Sequence, residues 1–406
     1  MSLPKILAPA GNLFKLKTAI RYGADAVYLA GQKFGLRSAA DNFSIAEIEE
    51  GCQFAHDHGA EVFVVLNGFL FDDDLRDLPP FLKTIEAAGT DAVIVSDLGV
   101  IDTVRRHSNL AVHLSTQASA LNQYAARFWK TQGVERLVLG REVSLAKAAA
   151  IKQAAGIEVE VFGHGAMCMA YSGHCTISNY TAGRDSNRGG CIQSCRLKYS
   201  LSTGKTSSGK QGYWLGSKDL QGIAQMSRFI EAGIDCLKIE GRMKSALYVA
   251  TTVRAYVQAR EAALSGQLGT DLPSLFSELD TMSHRDYTEA NLVERAGADS
   301  IDHGREAPPA HTHDLAGHIL ETSENGTLAV YLRNQLRPGD RLEMLGRDGR
   351  THLLDTSELL ALDHKPMAVG QPNRVVLLPN HAQAEPSLIL RKPRHVTHRN
   401  LVTARS

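Results

Sequence analysis

Short runs rich in Val, Ile, Leu and Ala, each closed by a polar residue or glycine, alternate along roughly the first 260 residues with stretches whose apolar positions recur at helical spacing. Eight such units are legible, with strand candidates at 5–11, 26–31, 61–67, 92–97, 111–117, 136–142, 158–165 and 236–242. Repeated βα units of this number and length predict the α/β class and, within it, a (β/α)8 TIM-like barrel. A doubly wound open sheet is the alternative. No GxGxxG follows any strand, which weakens the dinucleotide-binding form of that alternative.

The polar residues that close the strands are Asn67, Asp97, Gln117, Glu142, His164, Glu240 and Arg242. In a barrel these ends converge on one mouth, where catalytic and binding groups collect. Asn67, Gln117, His164, Glu240 and Arg242 are therefore the expected cavity residues. Asp97 serves equally well as a helix N-cap, and His113 and His164 are either acid–base groups or histidines satisfied by backbone bonds.

About fifty residues separate the seventh strand from the helix expected near 217–232, far more than an ordinary connection. Residues 202–212, STGKTSSGKQG, read as a flexible tip, and the stretch before them as an ordered insert. Beyond the helix near 246–265 the pattern changes to short alternating runs, LAVYL and RVVLL, separated by ENG, RPGD and GRDG turns. That is the signature of a small antiparallel β-barrel or sandwich. The expected organisation is a barrel over 1–265 carrying an insert at 166–216, a helical linker over 266–316, and a β domain over 317–406 ending in a basic tail.

Composition narrows the function classes. Forty-four basic residues balance forty-four acidic ones, so no global field draws the chain to nucleic acid or anionic membranes, and any RNA site is a local patch. The first residues lack the order of a signal peptide and no apolar run has membrane-spanning length, which predicts a cytoplasmic protein with no membrane partner. Four of the six cysteines, Cys168, Cys175, Cys191 and Cys195, fall within 28 positions, a metal-site pattern rather than a disulfide framework.

Their spacings are C-x6-C, C-x15-C and C-x3-C. Thiolates select zinc, copper(I) or an iron–sulfur cluster over magnesium or calcium. Zinc knuckles use C-x2-4-C pairs, which the six-residue gap does not match. The ligands of a cluster spread more widely. His164 and His174 keep a mixed Cys/His zinc site open. Cys52, in a helical pattern, and Cys236, at the start of the eighth strand, read as core.

The string EVEVFGHGAMCMAYSGHCTIS at 158–178 resembles the defining motif of the collagenase-like peptidase family U32. LAPAGNLFKLKTAIRYGADAVYLAG near the N-terminus, LKIEGRMKS at 237–245 and HRDYTEANL at 284–292 resemble its other blocks. The resemblance implies a [4Fe-4S] cluster on Cys168, Cys175, Cys191 and Cys195, and an oxygen-independent hydroxylation. RGGCIQSCRLKYS around the last two cysteines points to the branch acting on tRNA, with 5-hydroxyuridine formed at wobble position 34 and prephenate as hydroxyl source and co-substrate. The iron–sulfur assembly machinery is then a partner.

The family name also implies a peptidase. No GxSxG or HExxH occurs, and Ser172 and Ser178 lack an identifiable base. Hydroxylation of a small molecule and non-catalytic RNA binding with a structural cluster are also open. Arg184, Arg188 and Arg196 are candidates for gripping phosphates or carboxylates. An RNA path is expected along Arg184, Arg188, Lys198, Lys244 and the tail residues Arg391, Lys392 and Arg394.

Overall fold

The computed structural model describes residues 3–36, 41–201, 210–302, 311–323 and 326–394. Most of the glycine–serine tip at 202–212, part of the ENG turn and the last twelve residues of the basic tail lie outside them.

The first seven strands are β1 (Lys5–Pro9), β2 (Ala26–Leu29), β3 (Glu61–Leu66), β4 (Ala92–Val95), β5 (Ala111–Leu114), β6 (Arg136–Val138) and β7 (Glu158–Ala166). A hairpin follows, β8 (Tyr199–Leu201) with β9 (Lys210–Gly212), then β10 (Asp219–Gln221) and β11 (Cys236–Ile239). Strands β1 to β7 pair in parallel with their sequence neighbours, and β11 pairs in parallel with both β1 and β7. The ring closes as an eight-stranded barrel.

Each strand is short, β-branched and buried on both faces, as parallel strands under helices must be. Helix starts are capped by the residues the chain supplies at strand ends. Asn12 accepts from Lys15 N at 3.0 Å, Asp97 from Val100 N at 3.1 Å, and Ser44 forms a full capping box with Glu47. Asp97 therefore serves as a helix N-cap.

Strand β7 outruns the barrel. Its last residues pair antiparallel with β10, which pairs in turn with β12 (Tyr287–Thr288). Asp219 of β10 is locked by Arg285, which bonds it from its backbone N and from Nη2 at 3.1 and 2.6 Å. Burial alone would raise the Asp219 pKa, but the Arg285 charge and bonds outweigh it and hold it below the usual range.

The remaining strands are β13 (His313–Thr322), β14 (Thr327–Leu332), β15 (Leu342–Leu345), β16 (Thr351–Leu354), β17 (Val375–Pro379) and β18 (Ile389–Pro393). They form an antiparallel six-stranded sheet in the order β16-β15-β18-β13-β14-β17. LAVYL falls in β14, where alternate side chains are buried, and VVLL in β17, where Val376, Leu377 and Leu378 are all buried.

By contacts the chain divides into two compact units. The first is Met1–Lys244, Ala259–Leu272 and Arg285–Pro308, and the second Ser245–Gln258, Pro273–His284 and Pro309–Ser406. The boundaries interleave where local pattern implied a sequential order. Arg254 donates to Arg350 O at 2.9 Å and Gln258 to Gly349 O at 3.1 Å, within the second unit. Arg260 donates to Pro4 O at 3.0 Å, within the first. Such long-range ties carry no local sequence signal. No helix among the described residues is long and apolar enough to cross a membrane.

Candidate functional site

One cavity opens at the C-terminal ends of the barrel strands. Its walls include Asn67, Ser115, Thr116, Gln117, Arg141, Glu240 and Arg242, its inner part Tyr28, Phe162 and Lys238, and its outer part Cys168, Cys175, Cys191 and Cys195. Four of the five expected mouth residues and all four clustered cysteines thus meet in one place.

The fifth does not. Phe162 pairs in register with Lys238 and His164 with Ile239, so Gly163 is one extra residue in β7. Register partners in parallel strands share a face. Phe162 and Lys238 face the cavity, whereas the bulge turns His164 with Ile239 to the outside, its ring 5.6 Å from that of Tyr287. His164 is buried there, 1% exposed. Glycine is required at the bulge because a Cβ would lie 2.6 Å from Leu237 Cγ. Gly11 is similarly bound: a Cβ there would meet Arg242 O at 2.2 Å, so it lets the loop after β1 press against the Arg242 backbone.

A hydroxyl–amide chain orders the wall. Asn67 Nδ2 donates to Ser115 Oγ at 3.2 Å and to Gln117 Oε1 at 3.1 Å, and Ser115 donates to Gln117. His174 bonds the Gln117 carbonyl and so ties the insert to the β5 loop. Glu142 points elsewhere, accepting from Ser172 N at 2.8 Å and Ser172 Oγ at 3.3 Å in an adjoining cleft lined by Tyr171, Trp214 and Ile301. His113 is enclosed beside Phe63, and burial, reinforced by the Arg136 and Lys238 charges, pushes it well below its ordinary pKa. It is a neutral core histidine, away from the cavity lining.

The insert is held by its own polar contacts. Asn187 accepts from Cys175 N at 3.4 Å and donates to Cys175 O at 3.1 Å. Ser178 accepts from Ile192 N at 3.2 Å and Ser194 contacts Thr181 at 2.6 Å, which joins the Cys175 arm to the Cys191 and Cys195 arm. Arg188 bonds Asp74 at 2.9 Å and lies 4.1 Å over the Phe71 ring. All four thiols are free; Cys168 is exposed and the others partly so. Burial raises the Cys195 pKa, with Arg196 opposing and Cys168 and Cys191 adding to the rise, so these sulfurs lie within range of one another's charge. Among the described residues no three His, Cys, Asp or Glu are close enough to hold a single metal ion. The donor set nonetheless fits a soft, multi-atom centre, with four thiols on one cavity wall.

Cys52 and Cys236 are buried, and burial pushes the first to about 12 and the second well up. Neither reaches the cavity lining. Sequence reasoning missed Lys238 and Arg141. The signal for Lys238 was a lysine inside an otherwise apolar strand, CLKI, matched by a glutamate inside EVEVF.

Comparison with known proteins identifies the family. The model of peptidase family U32 matches residues 11–302, and that of the family's C-terminal domain matches 311–391. The chain is 42% identical to tRNA hydroxylation protein P1 of Bacillus subtilis over 87% of this chain and 86% of that protein. It is 31% identical to tRNA hydroxylation protein P of Escherichia coli over 98% of this chain and 99% of that protein. A collagenase of Porphyromonas gingivalis is 30% identical over 64% of this chain and 66% of that protein. With both models matched in order along the barrel and the β domain, the chain belongs to peptidase family U32.

Proposed function

We propose that this protein hydroxylates tRNA, forming 5-hydroxyuridine at wobble position 34 without molecular oxygen and with prephenate as hydroxyl source. The observation that carries the reading is the near full-length similarity to proteins named for tRNA hydroxylation, on a chain whose four clustered cysteines border the barrel cavity. Cys168, Cys175, Cys191 and Cys195 would hold a [4Fe-4S] cluster delivered by the iron–sulfur assembly machinery. Such a cluster supplies one-electron redox capacity beside the cavity, at a potential set by burial and hydrogen bonds to its sulfurs.

The chain's own residues supply the rest. Wobble-base chemistry needs a splayed single-stranded nucleotide, which the open barrel mouth can admit. Asn67, Ser115 and Gln117 form a pre-ordered polar wall, and Arg141 and Arg242 supply positive charge for an anionic co-substrate. A peptidase would need an activated nucleophile. Ser172 meets only the Glu142 carboxylate outside this cavity, and no histidine among the described residues is bonded to it.

The test is nucleoside analysis of tRNA from cells with and without the gene. Loss of 5-hydroxyuridine derivatives in the deletion, restored by the wild-type gene, is expected. An unchanged profile overturns the tRNA assignment.

A further inference from the structure

Lys238 lies at the inner end of the cavity, 6% exposed, with Nζ 2.6 Å from Glu160 Oε1. Glu160 is wholly enclosed. The ammonium lies 4.5 Å from the Tyr28 ring centre and 5.6 Å from that of Phe162. Removing both ions from water costs several kcal/mol each, roughly, so an apolar pair of similar volume would serve the barrel at least as well. A buried ion pair that the barrel does not need for stability, set at the inner end of a cavity, is a candidate anchor for a ligand.

A second observation is independent of the first. Asn67, 9% exposed, spends its amide hydrogens on Ser115 and Gln117, and its Oδ1 is buried without a hydrogen-bond partner. Buried polar atoms in folded proteins are paired in the great majority. An orphaned acceptor on a cavity wall marks where a ligand's donor goes. Thr116 Oγ1, 6% exposed on the same wall, is likewise without a partner. The thiols apart, the charged lining residues are Lys238, Arg141, Arg196 and Arg242 against Glu240. With the Lys238 charge offset by Glu160, three arginines still face one carboxylate, a balance that favours an anion.

We propose that the cavity binds a small hydroxy acid, with a carboxylate on Lys238 and the hydroxyl donating to Asn67 Oδ1, and that Glu160 is the positioning residue that fixes the Lys238 ammonium. Arg141 is held in place by stacking at 3.7 Å over Phe162 and by its bond to Ala166 O at 3.2 Å, so it reinforces the anionic site without reorganisation. The assignment rests on the reading of a carboxylate-bearing hydroxyl donor and gives that donor its two anchors. Because the hydroxyl sits on a side chain that Ser115 and Gln117 already orient, its direction is set before the nucleotide enters.

Anaerobic titration calorimetry of the metal-loaded full chain, with prephenate as the probe, tests it. Lys238→Met alone would strand the buried Glu160 charge, so the companion variant is Lys238→Met with Glu160→Gln, which removes both charges. Wild type is expected to bind saturably. The double variant and Asn67→Leu are expected to bind at least tenfold more weakly with iron content and melting temperature retained, and Lys238→Arg to recover part of the loss. Wild-type affinity in the folded double variant overturns the Lys238 assignment and leaves the donor reading standing. A wild type that binds no prephenate overturns the donor reading, and this assignment with it.

Discussion

Arg391 donates from Nη1 and Nη2 to the two carboxylate oxygens of Glu278, at 2.9 and 3.0 Å, and from Nε to Glu343 at 2.9 Å. The residue is 4% exposed. It was expected to contact RNA phosphates as part of the basic tail, and the burial of its guanidinium on Glu278, Glu343 and Thr281 inside the second unit argues against that role. Lys392 is also engaged, by Asp340 at 3.3 Å and Gln335 O at 2.8 Å. Arg391→Ala should cost about 3 kcal/mol or more of β-domain stability, since it leaves two buried carboxylates short of their partner. Arg394→Ala, at an exposed position, should stay within about 0.5 kcal/mol of wild type. Denaturant unfolding followed on the β domain checks both. Equal stability of Arg391→Ala and wild type would refute the structural role.

Glu343 gives the same network a pH dependence. Its hydrogen bond with His313, and after it the bonds and charge of Arg391, lower the carboxyl from 4.5 to about 2 against the opposing effect of burial. A carboxylate with a depressed folded pKa contributes stability that is fully present above its unfolded pKa and is lost as pH falls through the folded one. β-domain stability should therefore keep this group's full contribution, unchanged, between pH 7 and about 5, and lose it from about 4.5 down to about 2. Glu343→Gln should flatten that acid limb. Melting temperatures across the window, wild type against variant, measure the difference.

The eight barrel strands were legible because burial on both faces leaves uninterrupted β-branched runs, and the cysteine insert because it exceeds any ordinary loop. The face of His164 was not. Strict alternation from Glu160 through Phe162 assigns His164 to the cavity, and one inserted glycine reverses it. Strands β10 and β12, three and two residues long, fall below any periodicity that could announce them. The basic residues were misjudged for a related reason. The carboxylates that claim Arg391 and Arg188 lie 113 and 114 positions away in sequence, where local charge patterning is silent.

For the metal centre, anaerobically purified protein should carry about four iron and four sulfide per chain, as one cubane requires. Ala at any of Cys168, Cys175, Cys191 or Cys195 should lose it and loosen the insert to proteolysis, because ligand binding and local order are coupled. Cys52→Ala and Cys236→Ala should retain it, since both thiols are enclosed away from the cavity. Iron and sulfide assays with the cluster's visible absorption decide. Stoichiometric zinc without sulfide would sink the cluster assignment.

Once the paired cations are set aside, the path for RNA narrows. Arg188 is committed to Asp74, and Lys244 is half-buried within reach of the Asp219 charge, so neither is openly presented at the surface. Arg184 and Lys198 are exposed on the insert that carries the cysteines, with exposed Tyr171 and Tyr180 on the same segment. That combination of charge and bare aromatic rings suits a single strand, whose phosphates are met by cations and whose bases stack on rings. Arg184→Ala with Lys198→Ala should weaken tRNA binding and reduce the slope of log affinity against log salt by about 1.4, near 0.7 for each single-strand phosphate left without its cation. Tyr180→Ala should weaken binding with the salt slope unchanged, since stacking releases no counterions. Filter binding or fluorescence anisotropy across a salt series, on protein of verified iron content, separates the two effects. A double variant with the wild-type slope would remove the insert from the RNA path.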